Sequence, residues 1–116
     1  MASTYRVVYF ISLAGENPVK HFLDSLQHTQ KAKVFRLFQV YEQYGLASIM
    51  PHTKKLRGTP LWEISIKGKD NIRMLYVSRT MKSILVLHGF IKKTQKTPQK
   101  ELGLAIQRYE EWKKRT

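Results

Sequence analysis

The sequence predicts an α+β fold in which an antiparallel-dominated sheet packs against helices. Hydrophobic periodicity changes between helical and extended spacing along the chain, in the order β-α-α-β-β-β-α. Three strand patterns follow one another before the last helix, which is typical of antiparallel rather than alternating β-α architecture. The 116 residues, 42% of them hydrophobic, suffice for one core, so we expect a single domain over residues 1–116.

The first half of the chain is predicted to form one strand and two helices. Residues 5–10 are rich in β-branched and aromatic side chains, which favours a strand. Asn17-Pro18 offers an N-cap followed by proline at the first helical position. Apolar residues then recur in two helical stripes, and Gly45 is placed to end the second helix. The stripes are Val19, Phe22, Leu23 and Leu26, then Val34, Leu37, Phe38, Tyr41 and Tyr44.

The second half begins with residues 46–60, which proline and glycine mark as a loop. Residues 61–67 and 72–78 flank the turn cluster Gly68-Lys69-Asp70-Asn71, so they should form an antiparallel hairpin. Residues 83–91 form the most hydrophobic strand, which we expect at the centre of the sheet.

Thr97-Pro98 predicts the start of the last helix, because it repeats the N-cap and proline signal. Its apolar residues recur at helical spacing, and we expect them to face the core. They are Leu102, Ala105, Ile106, Tyr109 and Trp112.

The distribution of charge is the first functional signal. The chain has 21 Lys and Arg against 8 Asp and Glu, and residues 51–100 hold 12 of the basic residues. The same fifty residues contain two acidic residues, Glu63 and Asp70. An excess this concentrated attracts polyanions, so we favour a nucleic-acid partner over a merely solvated surface.

The composition also excludes several classes of protein. The chain has no cysteine, which excludes disulfides and thiolate metal sites. No stretch approaches the roughly 20 apolar residues that span a bilayer, and no helix pattern suggests binding to a membrane surface. We therefore expect a cytoplasmic protein with no membrane partner.

Three basic clusters lie on segments that the predicted sheet can bring together. The first is in the predicted loop, the second is Arg73 on an otherwise apolar strand, and the third precedes the last helix. A guanidinium in such a strand is either an edge residue or a fixed fork for an anion. A helix N-terminus surrounded by lysines is a favourable phosphate site. The lysine and arginine members are Lys54, Lys55 and Arg57, then Lys92, Lys93, Lys96 and Lys100.

Candidates for proton transfer are few. Glu63 could act as a base, or equally could pair with Arg73 across the hairpin. His88 lies in the most hydrophobic strand, where a buried, hydrogen-bonded histidine is favoured over a catalytic one. His52 is a weaker candidate beside the basic loop. No histidine or carboxylate spacing suggests a metal site, so we expect neither metal nor cofactor.

Several segments form an ordered set along nearly the whole chain. They are Val19…Phe22-Leu23…Leu26, Lys55-Leu56-Arg57-Gly58, Leu61-Trp62-Glu63-Ile64, Ile72-Arg73-Met74-Leu75-Tyr76, the run from Leu87 to Pro98, and Ala105 with Arg108. This set resembles the RelE/HigB-like toxins of type II toxin–antitoxin systems. Within them it is most similar to the phage-derived Gp49-like HigB branch.

The resemblance implies a RelE-like fold and a function. Such toxins are endoribonucleases that cut messenger RNA, usually on the ribosome, by attack of the RNA's own 2′-hydroxyl without a metal. A cognate antitoxin, expected to be a helix-turn-helix protein, restrains them. Arg73 matches the family arginine that binds the scissile phosphate. Lys92, Lys93 and Lys96 match the basic loop that neutralises the phosphorane.

The candidate residues follow from the resemblance and the charge pattern together. Lys54, Lys55 and Arg57 match a basic stretch that grips RNA. We take Arg73, Lys93, Glu63 and Lys55 as candidate catalytic residues. The candidate RNA-binding residues are Lys54, Arg57, Lys92, Lys96 and Lys100.

The sequence departs from the family pattern at the general base. Some members carry lysines on the strand that here holds Glu63 and Ser65, and one of those lysines is the base. Other members end in a catalytic histidine or tyrosine that has no counterpart here. The base and acid therefore stay open, and a non-catalytic RNA- or DNA-binding module remains the alternative.

Overall fold

The computed structural model describes residues 4–68 and 71–115, so Lys69 and Asp70 of the predicted turn lie outside the described residues. One five-stranded sheet lies between two layers of helices. The strands are β1 (Arg6–Tyr9), β2 (Thr53–Lys55), β3 (Trp62–Ile66), β4 (Ile72–Thr80) and β5 (Ser83–Ile91). The helices are α1 (Pro18–Ser25), α2 (His28–Tyr44), α3 (Leu46–Ile49) and α4 (Gln99–Arg115).

The sheet has the strand order β1-β5-β4-β3-β2. β1 runs parallel to β5, and every other neighbouring pair is antiparallel, which confirms the α+β prediction. α1, α2 and α3 cover one face of the sheet, and α4 covers the other. The strand predicted to be central, β5, is an interior strand beside the middle strand β4.

α1 begins and α2 ends where the sequence indicates, whereas α2 begins at His28, earlier than the predicted start after Gln30. The side chain of Asn17 accepts a hydrogen bond from the amide of Lys20 at 3.1 Å, and Pro18 opens α1. Gly45 follows α2 with a φ of +86°, a conformation that glycine adopts without steric cost. The predicted stripe of α2 is wrong at one position, because Tyr44 is 64% exposed at the end of the helix.

Residues 46–60 are more regular than the predicted loop. They contain α3, a 3₁₀ turn over Met50–His52, and β2. β2 has three residues and pairs antiparallel with β3. Elements this short have no periodicity of their own, and their pairing partners lie elsewhere in the chain, so local sequence patterns do not identify them.

α4 is fixed to the sheet at an irregularity of β5. Leu75 pairs with His88 and Tyr76 with Val86, so Leu87 is the extra residue of a β-bulge. The guanidinium of Arg108 donates to the Leu87 carbonyl at 2.9 Å. A buried carbonyl left unpaired by a bulge needs such a donor, and α4 supplies it.

The same arginine belongs to a buried polar group around His88. Its Nη1 lies 3.0 Å from His88 Nδ1, while His88 Nε2 lies 2.7 Å from Glu101 Oε1. These contacts fit a neutral ring that accepts from Arg108 and donates to Glu101. Burial lowers the pKa of His88 below its usual value, Arg108 lowers it further, and Glu101 opposes the shift.

This arrangement makes stability depend on pH. The folded state favours neutral His88. The contribution of His88 to the free energy of unfolding is therefore complete above the unfolded pKa of about 6.5, and it is lost as pH falls from there towards the lowered folded pKa. Between about pH 7 and pH 5, the free energy of unfolding should fall more for the wild type than for His88→Gln, which cannot titrate. Urea denaturation at each pH measures both, and equal slopes would contradict the assignment.

Candidate functional site

The site lies on the α4 face of the sheet, beyond the N-terminus of α4. Direct strand pairing places Lys54, Glu63, Leu75 and His88 in one row across four strands. Because paired residues on neighbouring strands share a face, this row points towards α4. The next row contains Ser65, Arg73 and Phe90 on the same face.

Glu63 is the centre of the site, and its side chain is 0% exposed. Three cations surround one carboxylate oxygen, Oε1. Arg73 Nε and Lys92 Nζ each lie 3.5 Å from it, and Lys54 Nζ lies 3.9 Å from it. The other oxygen, Oε2, accepts a hydrogen bond from the hydroxyl of Thr97. Four groups from four separate segments thus meet at one buried carboxylate.

The three cations differ in how far they are removed from water. The side chain of Lys92 is 6% exposed, that of Arg73 is 18% exposed, and that of Lys54 is 57% exposed. A buried ammonium or guanidinium is costly without a counter-charge. Glu63 provides that counter-charge, so it stabilises Arg73 and Lys92 in positions that they would otherwise leave.

Arg73 keeps hydrogen-bonding capacity for a ligand. Its Nη1 donates to the Ile72 carbonyl at 3.2 Å, while its buried Nε has no hydrogen-bond partner. Oε1 of Glu63 is likewise buried without a hydrogen bond. The pair is therefore held by charge at 3.5 Å rather than by a bidentate bond. Among the described residues, Nη2 makes no hydrogen bond or ion pair, which leaves it available to an anion.

A polar depression opens beside this cluster, and we call it the phosphate depression. Its volume is about 430 Å³. It is lined by Asn71, Arg73, Lys92, Lys93, Thr94 and Gln95. A backbone hydrogen bond of 2.9 Å from the Lys92 amide to the Asn71 carbonyl ties its two walls together. Three cationic side chains border it, and none of the described residues that line it is acidic.

The remaining candidates are placed unequally. Lys93 is exposed and borders the phosphate depression, Lys96 is exposed on the segment that leads into α4, and Lys100 is exposed in the first turn of α4. Arg57 is exposed in the turn after β2. His88 binds Glu101 and Arg108, and Leu75 separates it from Glu63 in the row.

Lys55 is not brought into the cluster. It pairs with Trp62, which packs against the core on the α1–α3 face, so Lys55 points away from Glu63. Its ammonium donates to the Thr59 carbonyl and lies 6.0 Å from the centre of the Trp62 ring. The structure therefore does not support a catalytic role for Lys55. On β2, Lys54 is the lysine that faces Glu63.

The role of Thr97 in the structure differs from the role predicted from the sequence. We predicted that it caps α4, but Pro98 directly precedes the helix and its carbonyl accepts the first helical bond, from Leu102 at 3.0 Å. The Thr97 hydroxyl instead binds Glu63. The burial of Lys92 was also missed. A lysine two residues beyond Phe90, on the same strand face, was the available signal for it.

Two searches of the described residues bear on other kinds of site. In residues 4–68 and 71–115, no three His, Asp or Glu side chains gather in a way that could hold a metal ion. Within the same ranges, no helix has the length and apolar character needed to cross a membrane.

Comparison with known proteins gives one assignment. Comparison with curated proteins gives no match. A family model described as phage derived protein Gp49-like (DUF891) matches residues 21–110. That range contains most of α1, all of α2 and α3, four of the five strands, and every residue of the cluster around Glu63. The chain therefore belongs to the phage-derived Gp49-like family.

Proposed function

We propose that this protein is the toxin of a toxin–antitoxin system and cleaves messenger RNA without a metal. Membership of the Gp49-like family is compatible with such a toxin. The observation that carries the enzymatic part is the cluster in which buried Glu63 holds Arg73 and Lys92 beside the phosphate depression. Fixed cations beside a cleft suit a reaction that develops negative charge on phosphate.

The proposed reaction is the transfer of a phosphodiester to the neighbouring 2′-oxygen. The O2′–P bond forms as the 2′-hydroxyl gives its proton to a solvent water molecule, and the P–O5′ bond breaks as the 5′-oxygen gains a proton from Lys93. Negative charge grows on the non-bridging oxygens between these events. Arg73 and Lys92 stabilise that charge, because their positions are set before the substrate arrives.

Glu63 acts in this scheme as a positioning residue. A general base must come within about 3 Å of the proton that it removes. Glu63 has no exposed surface, and its two oxygens face three cations and a hydroxyl. Lys93 is exposed on the rim of the depression and is the side chain that we assign to protonation of the 5′-oxygen.

The proposed partners follow from the charge and the family. Single-stranded message is gripped through its phosphates by exposed cations such as Lys54, Arg57, Lys96 and Lys100. We propose that cleavage occurs on ribosome-bound message in the cytoplasm. A cognate antitoxin, a helix-turn-helix protein with an acidic contact surface, would cover the basic surface.

The alternative is an RNA- or DNA-binding module that uses the same cations without cleavage. The observation that favours it is the absence of an accessible carboxylate or histidine at the cluster among the described residues, since Glu63 is buried and His88 is held by Glu101 and Arg108. Such a module would bind RNA but leave its backbone intact.

Arg73→Ala should reduce the rate of RNA cleavage by about a hundredfold or more, the typical effect of losing one strong donor to a developing oxyanion. The fold should survive, because Lys54, Lys92 and Thr97 still contact Glu63. Cleavage of message by purified protein, with and without ribosomes, measures the effect. Arg79→Ala, an exposed position on the same strand, is the matched control.

The products distinguish the proposed chemistry from its rivals. Cleavage should continue in EDTA and leave 2′,3′-cyclic phosphate or 3′-phosphate ends. A wild-type rate for Arg73→Ala would show that the assigned cluster is wrong. RNA binding without any cleavage, with or without ribosomes, would favour the binding module.

A further inference from the structure

A second groove lies between α2 and β3, and we call it the α2–β3 groove. Its volume is about 310 Å³, within the range of about 300–1,000 Å³ found for sites that bind small organic groups. Leu37, Val40 and Ile66 contribute apolar surface to it. Lys33, Arg36 and Lys67 contribute cations. It thus combines an apolar interior with cations, and no acidic residue is among the described residues of its lining.

The α2–β3 groove continues into the cleft of the proposed active site. A smaller depression shares Lys33, Ile66 and Lys67 with the groove, and it shares Asn71 with the phosphate depression. Another shares Ser65 and Lys67 with the groove and reaches Lys54. Depressions that share lining residues therefore connect the groove with the residues of the proposed active site. Lys67 lies four residues beyond Glu63, about 13 Å along an extended chain.

In the part of the chain that the structure describes, the cations of the groove have no carboxylate partner. Within the described residues, no carboxylate forms an ion pair with Lys33, Arg36 or Lys67. By contrast, Lys20 and Lys31 both bind Asp24 at 2.7 Å. Three uncompensated cations around one groove favour an anionic ligand there, since like charges held close together repel one another.

We propose that the α2–β3 groove is a second RNA subsite, which takes an unpaired nucleobase of the strand whose scissile phosphate lies at Arg73. This inference rests on the proposed function and extends it to the substrate beyond the cleavage point. Lys33 and Lys67 contact phosphates on either side of the base. The guanidinium of Arg36 stacks on the base, and the aliphatic side chains receive its apolar face.

The physical reason for preferring RNA is the repeated alternation of cation and apolar surface. A single strand presents a phosphate for every base, so it can use the Arg73 cluster, Lys54, Lys67 and the groove in succession. Every base has a π-face, so the groove would retain message without reading its sequence. A strand bound at two places would also hold the scissile phosphate against Arg73.

The test compares a groove variant with a control that has the same net charge. Lys33→Gln, Arg36→Gln and Lys67→Gln are combined in the groove variant. Arg79→Gln, Lys82→Gln and Lys114→Gln form the control; these residues are exposed, the first two beside the β4–β5 turn and the third near the C-terminus of α4. The probes are 2′-O-methyl oligonucleotides of about 4 to about 16 nucleotides, a range that covers the site sizes of compact single-strand-binding folds. These probes lack the 2′-nucleophile and are not cleaved.

For the wild type, affinity should rise when the oligonucleotide becomes long enough to reach the groove. The groove variant should lose that rise, and its plot of log affinity against log salt should be shallower by up to about 1.4, from about 0.7 for each of the two phosphate contacts made by Lys33 and Lys67. An abasic nucleotide at one position away from the scissile phosphate should lower wild-type affinity about tenfold, as expected for one stacked base. The same abasic probe should have no effect on the groove variant.

Three outcomes would overturn the subsite. The first is equal loss of affinity in the groove and control variants. The second is an abasic scan without a sensitive position outside the cleavage site. The third is a groove variant that binds long oligonucleotides like the wild type but no longer binds an acidic protein partner. These assays need no cleavage, so an inactive wild type with an intact subsite would contradict the proposed function alone.

Discussion

The structure depends on one buried carboxylate. Glu63 lies on β3 without solvent contact, and it holds Arg73 from β4, Lys92 from the end of β5 and Thr97 from the segment before α4. Burying any of these charges alone would cost several kcal/mol, whereas together they compensate one another. The same contacts fix the strands against the entrance to α4, so fold and site share one interaction.

This constraint explains how a strongly basic chain can present ordered cations. Repulsion among lysines and arginines normally drives them apart into solvent. Here the carboxylate of the strand pairs with the two least exposed cations, while Lys93, Lys96 and Lys100 remain exposed around them. In the proposed function, the inner pair would meet the reacting phosphate, and the exposed outer set would bind the rest of the RNA strand. Preorganisation of the inner pair is the physical basis of the proposed catalysis.

Sequence patterns predicted the α+β class, the N-cap of α1 and the glycine that ends α2, because each depends on local periodicity or on a capping residue. They also singled out Arg73 as a candidate, because a guanidinium is unusual in an apolar strand. They did not predict β2 or the direction of Lys55, because a three-residue strand exists only through its pairing with β3. They also missed the contact between Thr97 and Glu63, which are 34 residues apart. The sequence left two roles open for Glu63, a base or a partner of Arg73. The choice between them depends on whether Glu63 is buried, and burial is determined by packing in three dimensions.

The most direct test of this account is a double-mutant cycle between Glu63 and Lys92 in the free energy of unfolding. Glu63→Gln alone should destabilise the protein by about 3–5 kcal/mol, because it leaves buried cations without a counter-charge. Lys92→Met removes the least exposed of them, so the double variant should be more stable than the sum of the single effects predicts, by at least about 1 kcal/mol. Single effects that add to within about 0.5 kcal/mol would contradict the central role of this carboxylate.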